Sequence, residues 1–317
     1  MKPFAFVFPG QGSQSVGMLD AWGDHPVVAQ TLAEASDALH EDIGLLIREG
    51  TKEALALTTN TQPVMLVAGV ACYRAWLDAT GTEPSVVAGH SLGEYAALVA
   101  AGVLSLAQAA PLVRFRARAM QEAVPVGVGA MAAVLGLAAS RVMEGCAEAS
   151  ASFGAGSAEV VEAVNFNDPM QTVIAGSKAA VEKACEVVKA LGAKRALMLP
   201  PVSAPFHSSL MRPVAQRLRD QLKGVEFAAP KIALVNNVDV AVEVGADRIR
   251  EALVRQAFNP VRWVECVAGL KARGVGHIIE CGPGKVLSGM TKRIDAELVS
   301  AAVFDRTSLQ EVKGLLA

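Results

Sequence analysis

Short, mainly apolar runs alternate along most of the chain with longer stretches in which apolar positions recur every three or four residues. Three of the short runs, Phe4–Phe8, Val86–Gly89 and His277–Cys281, lead into glycine-containing turns. Apolar runs of this length are typical of buried strands, and the amphipathic stretches between them are typical of helices. The alternation therefore predicts an α/β fold with a parallel sheet.

Between residues 125 and 199 the pattern changes to a compact strand, helix, strand, strand, helix, strand order. Strands are predicted at 130–135, 159–165, 172–175 and 194–199, and helices at 140–149 and 178–191. This order is that of ferredoxin-like domains. We therefore predict a larger domain formed by residues 1–124 and 200–317, into which a ferredoxin-like domain of residues 125–199 is inserted, with Pro200-Pro201 marking the return.

The apolar run Val86–Gly89 is followed by His90-Ser91-Leu92-Gly93 and then by an alanine-rich helical stretch. A Gly-x-Ser-x-Gly sequence between a strand and a helix predicts a nucleophile elbow, which presents the Ser91 hydroxyl at a helix N-terminus. The same pentapeptide also occurs in ordinary strand-to-helix turns, where the serine only caps the helix. If it is an elbow, the larger domain is α/β-hydrolase-like.

A serine nucleophile needs a base, and the chain has five histidines. His90 adjoins Ser91, but successive side chains in a tight turn usually diverge. His207 lies in an irregular segment between the predicted domains, where functional side chains concentrate. His277 begins a predicted strand. We favour His207 over His277.

The helix predicted at residues 105–122 carries a charge on its apolar face. At about 100° per residue, Arg116 points the same way as the apolar residues, whereas Arg114 and Arg118 point the opposite way. A buried guanidinium is costly unless it is paired. Arg116 should therefore meet either a structural carboxylate or an anionic ligand.

Two further features lie at predicted turns. Glycine-rich segments at 9–15 and 281–284 each follow a strand, and we expect them at the same sheet edge as the elbow. The segment at 165–169 contains Asn165 and Asn167, which are either turn formers or residues that face a cleft.

Composition and charge exclude several classes of function. The formal net charge of −2 gives no electrostatic footprint for nucleic acid. The five cysteines are scattered without C-x-x-C spacing, which predicts neither disulfides nor a metal site and suits a reducing cytoplasm. The uncharged stretch at 95–113 is rich in alanine and is interrupted by Gly102 and Pro111, so we expect two buried helices and no membrane partner. Residues 1–8 are too short for a signal peptide.

Taken together, the chain resembles the acyltransferase family that contains malonyl-CoA:acyl carrier protein transacylases and the acyltransferase domains of polyketide synthases. The match covers nearly the whole chain. The segments that carry it are residues 8–14, 89–95, 116 with 120–121, 163–167, 205–207, 255–263 and 280–284.

The resemblance implies a catalytic pair, with Ser91 as the nucleophile and His207 as its general base. It implies an oxyanion hole made by the backbone amides of Gln11 and Leu92. The backbone carbonyl of Gln256 would orient His207.

The resemblance also implies the substrate. Arg116 would hold the free carboxylate of a malonyl group, while Asn165 and Phe206 would line the cleft. Phe206 would favour malonyl over methylmalonyl. The implied cycle is ping-pong: malonyl-CoA acylates Ser91, and the phosphopantetheine thiol of acyl carrier protein then takes the malonyl group, without cofactor or metal, in a monomeric protein that supplies fatty acid synthesis.

Three other functions remain open from the sequence. A stand-alone acyltransferase could load a polyketide carrier protein. A serine thioesterase of the α/β-hydrolase type would use a late histidine such as His277 and would give Arg116 no role. A non-catalytic module would ordinarily have lost Ser91 and His207.

Overall fold

The computed structural model describes residues 2–125, 127–200 and 204–317. The strands are Phe4–Phe8 (β1), Val86–Gly89 (β2), Gly129–Leu135 (β3), Val161–Asp168 (β4), Gln171–Ser177 (β5), Arg195–Met198 (β6), Ala233–Val235 (β7), His277–Cys281 (β8) and Val299–Val303 (β9). The helices are Pro26–Leu39 (α1), Ile43–Glu49 (α2), Lys52–Ala56 (α3), Thr58–Thr80 (α4), Gly93–Ala100 (α5), Leu106–Glu122 (α6), Ala139–Ala151 (α7), Lys178–Ala190 (α8), Arg212–Lys223 (α9), Ala246–Gln256 (α10), Trp263–Lys271 (α11), Val286–Ile294 (α12) and Arg306–Leu316 (α13).

The larger sheet is parallel and has the strand order β7-β2-β1-β8-β9. Every residue of β1 is buried because helices cover both faces of the sheet. Phe4 and Phe6 pack edge-on against Trp76 of α4, while Val7 belongs to the core of the other face with Trp263 of α11. In the β1–β2 register Phe8 lies opposite Gly89, so the chain leaves both strands at the same edge.

The smaller sheet is antiparallel and has the order β4-β5-β3-β6, the arrangement of a ferredoxin-like fold. One face is covered by α7 and α8, which bury residues such as Val142 and Val181 against Val134 and Ile174. The predicted α/β class with a second, antiparallel sheet is confirmed. The domain boundaries stay a prediction, and Val126 and Pro201, which lie at them, are outside the described residues.

The smaller sheet is attached to the segment after α10 and to helix α12. Val261 N–H donates to the Val164 carbonyl (2.9 Å), and Phe166 N–H donates to the Val261 carbonyl (3.0 Å). Asp168, at the end of β4, forms an ion pair with Arg293 of α12 (2.6 Å). The segment that follows α10 is therefore attached to the smaller sheet.

One turn predicted from the sequence is wrong. The strand β4 continues through Asn165 and Asn167 to Asp168, so the chain reverses at Pro169-Met170. Two irregularities in the β4–β5 register, together with the pairing to Val261, accommodate polar residues that would otherwise interrupt a strand.

The uncharged stretch from 95 to 113 forms parts of two helices, α5 and α6, as predicted. Gly102 separates them with φ of 72°, a value that glycine adopts without strain. A capping box between Ser105 and Gln108 then starts α6. Across the part of the chain that the structure describes, no helix combines the length and the apolarity needed to cross a membrane.

Candidate active site

The turn between β2 and α5 has the geometry of a nucleophile elbow. Ser91 has φ of 51°, a strained value for a residue other than glycine. A Cβ atom at Gly89 would lie 2.0 Å from the carbonyl group of Gly93, and one at Gly93 would lie 2.0 Å from the carbonyl oxygen of Phe8. Both glycines of the pentapeptide are therefore required by close backbone packing, which explains the motif physically.

Ser91 and His207 meet although they are far apart in sequence. The Ser91 Oγ lies 2.7 Å from His207 Nε2, and His207 Nδ1 lies 2.7 Å from the backbone oxygen of Gln256. A carbonyl can only accept, so Nδ1 carries the proton, and Nε2 is free to accept from the serine hydroxyl.

The surroundings of His207 keep its imidazole neutral. Burial, followed by the positive charge of Arg116, lowers the pKa of His207 to about 3. The bond to the Gln256 carbonyl opposes this shift without cancelling it. At neutral pH the ring is therefore available as a proton acceptor.

Arg116 reaches the same point from α6, as the helical periodicity predicts, and only 1% of its surface is exposed. Its NH1 donates to Gln62 Oε1 (2.7 Å), and its NH2 donates to Gln256 Oε1 (3.0 Å) and Ser91 Oγ (3.2 Å). Burial lowers the pKa of Arg116. Among the described residues it forms no ion pair with a carboxylate: its hydrogen-bond partners are neutral amides and a hydroxyl, and it lies beside the ring of Tyr95.

These groups surround a cavity of about 190 Å³ between the two sheets. Ser91, His207 and Arg116 all line it. The other predicted residues that line it are Gln11, Leu92, Asn165 and Phe206. Gln11 and Leu92 follow β1 and β2, so the parallel register brings their backbones to one end of the cavity. Gln256 contributes through its carbonyl and side chain rather than through the lining.

The asparagines of β4 face this cleft and are not turn formers. Asn165 lines the cavity with a buried Oδ1 that has no partner among the described residues. Asn167 Oδ1 lies 2.8 Å from His90 Nε2, and both side chains line the cavity. Burial lowers the pKa of His90.

His277 lies far from these groups. It pairs in register with Phe4, at the start of β1, whereas Ser91 follows the strand whose last residue, Gly89, pairs with Phe8. His277 therefore lies at the N-terminal end of the parallel strands, and Ser91 lies beyond their C-terminal end. A Ser91–His277 pair, which the thioesterase alternative needs, is not formed.

Sequence reasoning missed three residues that hold the site together: Gln62, Glu94 and Asn237. Gln62 is 2% exposed although it follows the polar residues Thr58–Thr61 at the start of α4, so its local sequence does not indicate burial. Glu94 is 1% exposed, and burial raises its pKa to about 7. Asn237 follows a three-residue strand, and nothing in its local sequence distinguishes it from Asn236.

Comparison with known proteins agrees with this geometry. The model of the acyl transferase domain family matches residues 5–301. The chain is 51% identical to the malonyl CoA-acyl carrier protein transacylase of Escherichia coli K12, over 98% of each protein. It is 49% identical to the protein of that name from Haemophilus influenzae, over the full length of both.

Solved structures give the same result. The acyl-carrier-protein S-malonyltransferase of Burkholderia pseudomallei is 65% identical and superposes with a TM-score of 0.94, covering 98% of this chain and 99% of that one. A malonyl-transacylase solved in complex with its type II PKS acyl-carrier protein is 51% identical, with a TM-score of 0.93 and 98% of each chain covered.

Proposed function

We propose, because the chain belongs to the acyl transferase domain family, that it transfers the malonyl group of malonyl-CoA to the phosphopantetheine thiol of acyl carrier protein. The observation that carries the proposal is the position of Ser91 Oγ, which is 2.7 Å from His207 Nε2 and 3.2 Å from Arg116 NH2. The nucleophile therefore lies between a neutral base and a cation that has no carboxylate partner in the described structure.

In the first half-reaction Ser91 Oγ attacks the thioester carbon of malonyl-CoA, and His207 Nε2 takes the hydroxyl proton. The negative charge moves to the carbonyl oxygen, which the backbone amides of Gln11 and Leu92 would stabilise. The C–S bond then breaks, and the CoA thiolate takes the proton from His207. The product is a malonyl ester of Ser91.

The second half-reaction repeats these steps in reverse with a different thiol. His207 takes the proton of the phosphopantetheine thiol, and the resulting thiolate attacks the ester carbon. The C–O bond to Ser91 breaks, and His207 returns the proton to Oγ. The Gln256 carbonyl, 2.7 Å from Nδ1, stabilises the imidazolium that forms in each step.

Arg116 would select the acyl group. The free carboxylate of a malonyl ester is two bonds from the ester carbon, so a guanidinium beside Ser91 Oγ is well placed to bind it. Gln62 and Gln256 fix the guanidinium before substrate arrives. Because neither residue supplies a negative charge, the substrate carboxylate completes the pairing.

Fatty acid synthesis is the destination that we propose, with a polyketide carrier protein as the alternative. The alternative is supported by the solved complex of a similar enzyme with its type II PKS acyl-carrier protein. Comparing kcat/KM for fatty acid and polyketide carrier proteins distinguishes the two pathways.

We also propose a cytoplasmic location, supported by five free, buried cysteines, while the monomeric state stays a prediction. No cluster of ligating side chains that could hold a metal occurs in the described ranges.

Mass spectrometry of the protein after brief exposure to malonyl-CoA tests the function. We expect a malonyl adduct on Ser91 with one equivalent of CoA released, and loss of the adduct when carrier protein is added. The Ser91→Ala variant should form no adduct. Continuous CoA release without a carrier would instead indicate a thioesterase.

A further inference from the structure

Asn237 lies directly beneath the nucleophile elbow, although it belongs to a different part of the chain. In the parallel register of β2 and β7, Ala88 is opposite Val235. Two residues further along each strand, the chain reaches His90 on one side and Asn237 on the other. Asn237 is fully buried.

Both ends of its side-chain amide bind the backbone of the elbow. Its Oδ1 accepts a hydrogen bond from Ser91 N–H (2.7 Å), and its Nδ2 donates to the Gly89 carbonyl (2.7 Å). Its own N–H donates to Glu94 Oε2 (2.9 Å) in the first turn of α5. The amide therefore spans the turn and fixes the peptide group that precedes Ser91.

The peptide group that follows Ser91 is fixed from the other side. Gln256 Nε2 donates to the Ser91 carbonyl (3.0 Å) and also to Glu94 Oε2 (2.9 Å). The buried Glu94 carboxylate thus binds both Asn237 and Gln256, which hold the peptide groups on the two sides of the Ser91 Cα. With both neighbouring peptide planes held, the positive φ of Ser91 cannot relax.

The loop that carries Asn237 is itself held firmly. Asp239 forms a two-pronged ion pair with Arg255 of α10 (2.5 and 2.6 Å), and Asn236 N–H donates to the Ala241 carbonyl (3.0 Å). Val240 has φ of 59°, which is unusual for a β-branched residue. A loop keeps such a strained conformation only when its surrounding contacts enforce it, so this loop can hold Asn237 in a fixed position.

We infer that Asn237 is a positioning residue for the acyl transfer: it holds the elbow in the strained conformation that aims Ser91 Oγ at His207. The inference rests on the proposed function, in which Ser91 is the nucleophile. Asn237 does not line the cavity, so it acts only through the backbone of Ser91.

This role makes a specific kinetic prediction. Malonyl-CoA would be bound by Arg116 and the cavity walls, and among the lining residues Asn237 hydrogen-bonds only the backbone of Ser91. Attack on the thioester, however, depends on the position of Oγ, and an error of about 1 Å in a reacting atom costs on the order of 100-fold. Loss of the brace should therefore lower kcat and leave KM nearly unchanged.

The test compares Asn237→Ala with Asn236→Ala in the intact protein. Asn236 is a matched control because it is 3% exposed, lies in the same loop and binds Asp239 N–H (2.8 Å), with no hydrogen bond to residues 89–93 in the described structure. For Asn237→Ala we expect kcat to fall on the order of 100-fold, with KM for malonyl-CoA within about 2-fold. Asn236→Ala should lose comparable thermal stability but retain kcat.

A second readout needs no malonyl-CoA. The rate at which a sulfonyl fluoride modifies Ser91 reports the alignment of Oγ with His207, and it should fall in parallel with kcat only for Asn237→Ala. If that variant does not fold, Asn237→Asp replaces it, because it keeps the volume and the acceptor for Ser91 N–H while losing the donor to Gly89. We expect the same pattern in kcat and reactivity, to a smaller degree.

An unchanged kcat in a folded Asn237 variant would overturn the inference, as would an equal loss of kcat in Asn236→Ala. A rise in KM with kcat unchanged would also overturn it. These outcomes are separate from failure of the proposed function, which would appear as the absence of a malonyl-Ser91 adduct in the unaltered protein.

Discussion

At the scale of single residues, burial decides the chemistry of His207. Only 4% of its surface is exposed, and it shares a small space with the cation of Arg116. Both factors disfavour the imidazolium, and they lower its pKa to about 3. The same pKa shift that keeps the imidazole neutral links the stability of the fold to pH.

The direction of that link can be predicted. Between about pH 3 and 6.5 the unfolded chain binds a proton at residue 207 that the folded chain does not, so stability rises with pH and falls as pH decreases. The slope from one such group is at most about 1.4 kcal/mol per pH unit. Above pH 6.5 the stabilisation is complete.

Urea unfolding between pH 4 and 7 measures this effect. The His207→Gln variant should lose less stability over that range than the unaltered protein, with a residual slope to which the buried His90 contributes. Identical slopes for the two proteins would contradict the pKa assigned to His207.

Arg116 gives a second prediction at this scale. Replacing it with alanine should lower kcat/KM for malonyl-CoA about 100-fold or more, since a buried charge pair with the substrate is lost. Neutral acyl groups such as acetyl should lose much less, so that acetyl gains in relative preference. Initial rates with malonyl-CoA and acetyl-CoA measure both.

Arg118→Ala is the matched control, because Arg118 is on the same helix and exposed. Its rates should equal those of the unaltered protein. Equal losses for malonyl and acetyl in Arg116→Ala would show that Arg116 only supports the fold.

At the scale of elements, the junction of β1, β2 and α5 depends on backbone atoms that approach closely. A Cβ at Gly93 would be 2.0 Å from the Phe8 carbonyl oxygen, closer than any relaxation of a side chain could relieve. This contact seats the start of α5 on the end of β1. It is also what places Leu92 beside the loop that carries Gln11.

Gly93→Ala should therefore destabilise the protein strongly. Overpacking against a backbone atom costs about 3 kcal/mol or more, and the elbow would shift with it. Gly314→Ala is the control: no heavy atom lies within 4 Å of its added Cβ, and helix α13 should gain about 0.5–1 kcal/mol from losing a glycine. Thermal unfolding should separate the two variants, and similar melting temperatures would contradict the packing described.

At the scale of the whole molecule, the cavity exists because two sheets meet. Ser91 and Arg116 come from the larger sheet and its helices, whereas Asn165 and Val173 come from the smaller sheet. The buried Asp168, paired with Arg293, is one of the contacts that hold them together. The end of α10 and the segment that follows it link the two parts of the site, since Gln256 binds His207 and Val261 pairs with β4.

Asp168→Asn tests the connection. The variant keeps the volume and the acceptor for Met170 N–H but removes the charge opposite Arg293. Because Arg293 is half-exposed, we expect a loss of only about 1 kcal/mol in the free energy of unfolding. Denaturant unfolding measures it, with Glu144→Gln, from an exposed pair with Arg141, as a control that should change by less than about 0.5 kcal/mol. Equal effects in the two variants would mean that the pair does not join the sheets.

Local patterns determined a large part of this protein. The period of apolar residues predicted the parallel sheet, the inserted antiparallel sheet and the inward position of Arg116, because burial of one face imposes that period on each element separately. The glycines around Ser91 predicted the elbow, since close backbone contacts require glycine at both ends of the five-residue motif. The same local reasoning placed a turn at residues 165–169, where strand pairing with Val261 overrides the turn preference of asparagine and β4 continues to Asp168.

The tertiary structure alone decided which distant groups meet at Ser91. His207 is 116 residues away and Asn237 is 146 residues away, and neither has a periodic signature. Sequence reasoning left Arg116 with either a carboxylate or an anionic ligand, and only the packed structure shows it held by neutral amides. The physical reason is that hydrogen bonds between remote segments depend on how whole elements are registered, as β2 is with β7, and that register is set by the complete core.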